Sequence, residues 1–336
     1  MKNFIILCSL FLAANSFAGD SGYHVTKRLK VGGEGGWDYL TVDESARRLY
    51  ISRSTHVMII DIDTDKVVGD IPDTPGVHGI AVAPEFNRGF TSNGKADTAT
   101  IFNLKTLKVI SKVKTGGNPD AILYDPASKK VFTFNGKSKD ATVINARSGK
   151  VIKTIPLGGK PEYSATDGKG KIYVNIEDTN EVVEIDSLKA VVSKRFPLPG
   201  CDEPSGMGLN AEKGIVFSGC HNKVMTILDT KTGNVSTVPI GAGVDGNGFD
   251  AGVGLAFSSN GDGTLTIVRE ASLGNYEVVE NVTTQFRAKT MAVDPKTHNI
   301  YVPAAQFEQP KEPAQPGTKQ RPAMVKDSFE VLVLGK

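Results

Sequence analysis

The chain has 336 residues, which exceeds an average domain but lies within the range of a single all-β barrel or propeller. Its 39 Lys and Arg residues nearly balance its 37 Asp and Glu residues, and this balance argues against a general binder of nucleic acid. The 36 glycines and 17 prolines require many turns between short elements, which argues against a helical bundle.

The first 18 residues have the layout of a secretory signal peptide. Lys2 gives a positive start, residues 4–14 are apolar but too few to span a bilayer, and small residues precede position 19. We therefore expect cleavage between Ala18 and Gly19 and a periplasmic or secreted protein. No other segment is apolar over a membrane-spanning length, so we expect no transmembrane span.

A repeat of roughly 42 residues runs through the rest of the chain. One turn residue follows an apolar run in each copy, and these residues are Asp43, Ala83, Asp125, Asp167, Asn210, Asp250 and Asp294. A polar residue that ends a second apolar run repeats in step, at Asp61, Asn103, Asn145, Asp186, Asp229 and, more weakly, Glu270. Two series in phase indicate seven copies of one structural unit.

Each copy predicts four strands. In the third copy they are DAILY, KVFTF, ATVIN and KVIKTI, separated by the turns DPASK, NGKSKD and ARSGK. β-Branched and aromatic residues fill the runs, whereas Gly, Asn, Asp and Pro mark the turns. The sequence therefore predicts an all-β fold, a seven-bladed β-propeller with four antiparallel strands in each blade and one domain over residues 19–336.

The two chain ends predict how the ring closes. No fourth strand follows SFEVLVLGK at the C-terminus, but the N-terminal YHVTKRLKV is similar to the fourth strands KVISKV and KVIKTI. We expect the N-terminal strand to complete the last blade. A sandwich or a pair of domains does not account for the phased series.

The units, with IYVN and IYVP in their second strands, resemble the YVTN repeat family of bacterial periplasmic propellers, the YncE-like proteins. The resemblance covers roughly residues 23–336 and implies the propeller fold. It implies no single chemistry, because the same architecture carries lactonases, lyases, redox enzymes and binding scaffolds.

The first strand of each blade lines the channel of a propeller, and the loops that enter it share a face with the loops between strands two and three. The position five residues before each turn residue should therefore lie at one mouth of the channel. These ligand-binding candidates are Asp38, His78, Asp120, Glu162, Ser205, Asp245 and Lys289.

The acids of this ring predict a cation site. Facing carboxylates repel one another, and a divalent cation would relieve them, calcium or magnesium being suited to oxygen ligands. The candidate metal ligands are Asp38, Asp120, Glu162 and Asp245. His78 with carboxylates instead suits a transition metal. The alternative is a solvated ring cross-linked by Lys289, with no ligand.

Smaller features of the same face have competing interpretations. The recurring Asn93, Asn135 and Asn260, each followed by glycine, are interpreted as turns that need a positive φ. Trp37 is expected to pack between blades one and seven rather than to stack on a ligand. His56 and His221 lie in loops of this face and are interpreted as solvated surface residues, with contact to a ligand as the alternative. His24 and His298 are given no role.

Cys201 and Cys220 are the two cysteines of the mature chain, because Cys8 lies in the signal peptide. An even number in an oxidising compartment favours a disulfide, and both positions fall on the mouth face of blade five. Separate thiols, or a soft metal pair of Cys220 with His221, are the alternatives.

Residues 307–327 form a proline-rich insertion between the second and third strands of the last blade. Proline excludes helix and sheet interior, so an extended loop on the mouth face is predicted. It is a lid, a linker, or a strap that docks a partner through its basic residues Lys311, Lys319, Arg321 and Lys326.

The function that these patterns favour is an exported, monomeric scaffold that binds a small ligand, a cation or a protein at the mouth. The alternative is a metal-assisted hydrolase or lyase, similar to lactonase propellers, with His78 as acid and base. Ser205 in EPSGM lacks the pattern of a nucleophile elbow. The sequence also lacks phosphate-binding, dinucleotide-binding, CxxC and CxxCH motifs.

Overall fold

The alternating and continuous apolar runs form strands in the computed structural model, which describes residues 20–308 and 322–336. The strands make seven four-stranded antiparallel sheets arranged as a β-propeller, which confirms the predicted fold. The expected signal peptide, residues 1–18, lies outside the described residues. Within the described ranges, no helix is both long enough and apolar enough to cross a membrane.

Blades one to four follow one another along the chain. Their strands are β2 (Leu40–Asp43), β3 (Arg48–Ser52), β4 (Val57–Asp61) and β5 (Lys66–Ile71); β6 (Val77–Ala83), β7 (Arg88–Asn93), β8 (Thr98–Asn103) and β9 (Val109–Lys114); β10 (Pro119–Asp125), β11 (Lys130–Asn135), β12 (Asp140–Asn145) and β13 (Val151–Pro156); β14 (Pro161–Thr166), β15 (Lys171–Ile176), β16 (Glu181–Asp186) and β17 (Val191–Pro197). Two short 3₁₀ helices lie in turns, at Pro84–Phe86 and Glu177–Thr179.

Blades five to seven complete the ring. Their strands are β18 (Pro204–Asn210), β19 (Ile215–Cys220), β20 (Val224–Asp229) and β21 (Val235–Pro239); β22 (Val244–Asp250), β23 (Leu255–Asn260), β24 (Thr264–Ser272) and β25 (Asn275–Thr283); β26 (Ala292–Asp294), β27 (Asn299–Ala304), β28 (Glu330–Gly335) and β1 (His24–Lys30). The N-terminal strand β1 pairs antiparallel with β28, as predicted. In blade six the third strand continues past Glu270, so that residue does not end the run as the repeat suggested.

The hydrophobic core is divided among the junctions between blades. Seven apolar clusters are buried, and each combines residues of two neighbouring blades. In one of them Phe132 and Phe134 of blade three pack against Ile172 and Val174 of blade four. Each blade therefore stabilises the ring mainly through the two neighbours that cover its faces.

The recurring aspartate of the first series has a structural role between blades. Buried Asp294 of blade seven accepts two hydrogen bonds from the guanidinium of Arg47 in blade one, at 2.8 and 3.0 Å. Asp250 of blade six contacts His298 Nδ1 of blade seven at 2.9 Å. These carboxylates fasten adjacent blades on the face opposite the mouth, and they give His298 a place in the fold that the sequence did not assign.

Ring closure depends on a buried arginine in blade one. The guanidinium of Arg53 donates five hydrogen bonds to backbone carbonyls of residues 32–35, the segment that leads from β1 into blade one. It also lies over the ring of Phe329, 3.7 Å from the centroid. Burial lowers the pKa of Arg53 to about 10. The side chain thus joins blade seven, the crossing segment and blade one.

We predict that Arg53→Met weakens ring closure. The variant keeps much of the side-chain volume but leaves buried carbonyls without donors, which should lower the free energy of unfolding by about 3 kcal/mol. Urea unfolding followed by circular dichroism measures the change. Arg147→Met, at an exposed arginine of blade three, is the control and should shift the midpoint by less than a fifth as much. Equal midpoints for the two variants would contradict this role.

Candidate functional site

The predicted ring residues lie at one end of the central channel, which we call the mouth. Each is placed at or just before the start of a first strand, in the order that the repeat predicted. The loops between strands two and three meet the segments that enter strand one, as in the hydrogen bonds Gly94 N to Gly76 O and Gly136 N to Asn118 O, at 2.8 and 2.9 Å. Both sets of loops therefore share the mouth face.

Three of the ring residues form a close cluster. His78 Nδ1 lies 2.5 Å from Asp38 Oδ2 and 3.5 Å from Asp120 Oδ1. The possible ligand atoms of the three side chains all lie within 4.8 Å of one another. The backbone fixes this approach, because Tyr39 N donates to His78 O across the junction of blades one and two.

Burial and the two acids determine the ionisation of the cluster. Burial raises the pKa of Asp120 to about 6, the His78 charge opposes this, and Asp38 adds to it. Burial also raises the pKa of Asp38, although its hydrogen bond with His78 opposes the rise. Burial alone would lower the pKa of His78, but both carboxylates outweigh it and raise the pKa. His78 is thereby stabilised as an imidazolium between two acids.

The remaining acids of the ring face lysines. Asp245 pairs with Lys289, which is the cross-link that the sequence allowed. Glu162 Oε2 lies 3.4 Å from Lys160 Nζ, is buried, and has no hydrogen-bond partner. Burial and then the Asp120 charge raise the pKa of Glu162 well above its ordinary value. The four proposed carboxylate ligands therefore do not converge on one point among the described residues.

Lys160 is a mouth residue that the sequence reading missed. Its ammonium pairs with Glu162 and also with Glu177, in the loop between strands two and three of blade four. Lys160 lies two residues before the aligned ring position of its blade, Glu162, and therefore does not belong to the repeating series. The available signal was a lysine two residues before an acid, in the segment that enters a first strand.

An aromatic pair crosses the channel beside the cluster. Tyr39 of blade one and Tyr163 of blade four meet edge to face, with ring centroids 5.1 Å apart. Burial and the carboxylates of Asp120 and Glu162 raise the pKa of Tyr39 well above its ordinary value. The Tyr39 phenol is thus exposed to the field of the mouth acids, and the two rings narrow the channel there.

The channel is asymmetric because of glycines. A Cβ on Gly208 of blade five would lie 2.7 Å from the Gly248 carbonyl carbon, and one on Gly246 would lie 2.8 Å from Met291 N. The backbones of the first strands of blades five, six and seven therefore approach closely at Gly208 and Gly246, and the side chains of Met291 and Val293 fill the space next to Gly248. A cavity of about 230 Å³ remains along the first strands of blades one to four.

The cavity is lined by Tyr39, Gly79, Ala121 and Tyr163, each of which directly follows a ring residue in the sequence. The side chains of Asp38, His78, Asp120 and Glu162 themselves do not line it. Ser205 lies on the closed side and is 3% exposed. Its carbonyl accepts a hydrogen bond from Asn175 Nδ2 at 2.6 Å.

The Asn-Gly pairs do not have the backbone that we expected. None of Asn93, Asn135 and Asn260 has a positive φ. Their amides are buried and bond threonine hydroxyls of the neighbouring strand, as Asn93 Nδ2 does to Thr100 Oγ1 at 2.8 Å. Gly94 leaves room for two side chains, since a Cβ there would lie 2.7 Å from both His78 Nε2 and Asn118 Oδ1.

The cysteine and tryptophan predictions are confirmed. Cys201 and Cys220 lie at disulfide distance, with Cα atoms 5.4 Å apart, on the mouth face of blade five. Bonded in this way, Cys220 is not a metal ligand with His221, which contacts Glu203 at 2.7 Å instead. Trp37 packs against Phe329 of the last blade, with ring centroids 5.4 Å apart.

The two ends of the insertion are held against the mouth face. Phe307 and Met324 form a β-bridge, and Glu308 N donates to Ala323 O at 2.8 Å. Lys326 is exposed. Three of the proposed docking residues, Lys311, Lys319 and Arg321, lie outside the described residues.

Comparison with known proteins supports the fold alone. No family model matches the sequence, and no curated protein matches it. Among solved structures, Kuenenia stuttgartiensis hydrazine synthase matches with a TM-score of 0.70 and 18% sequence identity, over 80% of this chain and 92% of that chain. At this identity the likeness indicates a shared architecture and carries no activity to this protein.

The raised pKa values predict that the cluster makes stability fall as pH rises. An Asp120 pKa of about 6 when folded, against 3.8 when unfolded, means that the folded state binds more protons between these values. Unfolding free energy must then decrease through that window, and the raised His78 pKa continues the decrease above pH 6.5.

Asp120→Asn should therefore reduce the loss of stability between pH 4 and pH 7 by about 2 kcal/mol. Urea unfolding at both pH values measures the difference. Glu203→Gln, an exposed acid of blade five, is the matched control. A pH dependence in Asp120→Asn equal to that of the wild type would show that the cluster does not titrate in this way.

Proposed function

We propose that the protein is an exported ligand-binding propeller of the YVTN repeat, YncE-like kind, and that it binds a divalent cation at the mouth. The observation that carries the proposal is the approach of Asp38, His78 and Asp120 to within 4.8 Å of one another. Two carboxylates and an imidazole are a ligand set for a divalent ion of the first transition series. The mixed nitrogen and oxygen set favours such an ion over calcium or magnesium, which prefer oxygen alone.

The surrounding charges support a cation. The ring holds four carboxylates, whose charges face two ammonium groups and the His78 imidazole. Burial raises the pKa values of Asp38, Asp120 and Glu162, and neighbouring carboxylates add to the rise. A bound divalent ion would add the missing positive charge. Because His78 must lose its proton before it coordinates, binding should release protons and strengthen with pH.

The export part of the proposal depends on the N-terminal sequence and on the cysteines. Residues 1–18 have the composition of a signal peptide, and we propose residues 19–336 as the single mature domain. The Cys201–Cys220 pair at disulfide distance suits an oxidising compartment. The second-strand motifs IYVN and IYVP support the YVTN relationship.

We predict that metal-free protein binds one equivalent of Mn²⁺ or Zn²⁺ at pH 7.5, and binds it more than tenfold more weakly at pH 5.5. Isothermal titration calorimetry measures both affinities. Asp120→Asn removes one charged ligand while keeping the side-chain shape, and it should weaken binding at least tenfold.

Glu203→Gln is the matched control, because His221 and Glu203 form an exposed imidazole–carboxylate pair on the same face. It should leave the first equivalent unchanged. If no ion binds, or if Asp120→Asn binds as tightly as the wild type, the proposed cation site is wrong.

A metal-assisted hydrolase or lyase is the second candidate, and the arrangement of His78 favours it. Nδ1 is oriented by Asp38, while Nε2 makes no hydrogen bond within the described residues. A histidine held at one nitrogen and free at the other has the layout of a general acid and base. In this function the mouth carboxylates hold the cation and His78 transfers the proton.

A panel of lactones, assayed by proton release in a pH-stat with metal-loaded protein, tests this candidate. If it is correct, His78→Gln should lower turnover about 100-fold. Absence of turnover above the metal-only background in the wild type would leave binding as the function of the mouth.

A further inference from the structure

A second hollow lies on the mouth face, at the junction of blades six, seven and one. It has a volume of about 500 Å³, and its walls include Trp37, Arg287, Lys289, Phe307, Pro322 and Met324. We call this feature the aromatic hollow. We propose that it is a binding site for a small aromatic carboxylate, separate from the proposed cation site.

Three chain segments build the hollow, and one of them, the insertion, occurs in the last blade and in no other. Trp37 comes from the segment that enters blade one, and Arg287 comes from the segment that enters blade seven. Phe307 and Met324 come from the two ends of the insertion, paired through Glu308 N to Ala323 O and Val325 N to Gln306 O. The repeat itself does not produce this site, because the equivalent loops of the other blades are short.

The aromatic wall is held in place from behind. The Trp37 ring packs on Phe329 at 5.4 Å and on Phe307 at 6.1 Å, measured between centroids. Its indole Nε1 donates to the Lys289 carbonyl at 3.3 Å, which fixes the ring orientation. Trp37 and Phe307 remain partly exposed, so a planar ligand can contact them without displacing the packing.

Arg287 provides the charge that selects an anion. Its guanidinium carbon lies 5.1 Å from the Phe307 ring centroid, and it forms no ion pair with an acid among the described residues. Lys289, by contrast, is already paired with Asp245. The Arg287 backbone is fixed by a hydrogen bond from its N–H to Gly261 O at 2.8 Å.

An arginine beside aromatic rings binds a carboxylate through two parallel hydrogen bonds, while the rings accept a planar apolar group. The volume suits a ligand of one or two rings. These features together define an aromatic carboxylate as the ligand class. The acids of the mouth interact with Lys289 and His78, so the anion is held at the Arg287 side of the hollow.

Trp37 is the only tryptophan of the chain, so its fluorescence reports directly on this site. We expect cinnamate to quench it saturably, with a Kd of about 1 mM or lower, in full-length mature protein without added metal. Cinnamamide, which has the same shape without the charge, should bind at least tenfold more weakly.

Arg287→Asn tests the anchor, and asparagine accepts the left-handed backbone of this position, whose φ is 67°. The variant should bind cinnamate at least tenfold more weakly and leave cinnamamide binding unchanged. Phe307→Ala should weaken the binding of both cinnamate and cinnamamide, because it removes part of the aromatic wall. Arg269→Gln, an exposed arginine of blade six paired with Glu277, is the matched control and should behave as the wild type.

The unfolding midpoint of each variant shows whether it is folded. Three results would each overturn the proposal: no saturable quenching by cinnamate, equal affinity for the amide, or unchanged cinnamate affinity in folded Arg287→Asn. Because Asp120 is not part of the hollow, Asp120→Asn should bind cinnamate normally. The cinnamate test therefore remains valid even if the proposed cation site at the mouth is wrong.

Discussion

Burial of apolar surface between adjacent blades is the interaction on which the whole structure depends. Each of the seven clusters joins two neighbouring blades, and one of them also includes Tyr39 from across the channel. A blade without its neighbour would therefore expose an apolar face. The ring must consequently close, and closure joins the ends of the chain through β1 and β28. Arg53 acts at that junction, where it satisfies the carbonyls of the crossing segment. Closure also places Asp38 of blade one beside Lys289 of blade seven, and so makes the mouth.

Departures from seven-fold symmetry give the mouth its chemistry. Glycines bring the first strands of blades five to seven together, whereas blades one to four keep side chains and a cavity between them. The cluster of Asp38, His78 and Asp120 lies on the open side. On the closed side Asp245 and Lys289 neutralise each other. A ring of identical blades would have distributed these charges evenly and would have offered no distinct ligand set.

The mouth face carries two neighbouring regions of opposite charge. The proposed cation site has the carboxylates of Asp38 and Asp120, whereas the proposed carboxylate site in the aromatic hollow has Arg287 and the rings of Trp37 and Phe307. Lys289 borders both, with its ammonium on Asp245 and its carbonyl on the indole of Trp37. In this proposal the two ends of the insertion in blade seven form part of a binding surface. Two nearby sites of opposite charge would allow this face to bind a cation and a carboxylate at the same time.

The sequence by itself determined the repeat, the number of blades, the strand order, the closing strand and the positions that reach the mouth. These properties follow from local rules, since apolar periodicity and turn residues act over a few positions and repeat along the chain. Only the tertiary structure decided that His78 lies between two acids and that Tyr39 meets Tyr163 across the channel. The tertiary structure also showed that the Asn93–Gly94 pair has no positive φ at Asn93 and that Gly94 lies close to the side chain of His78. The pairings of His78 and of Tyr39 depend on how far each blade is rotated and how closely its neighbours pack. They join residues 40 or more positions apart, and such residues carry no local signal of that distance.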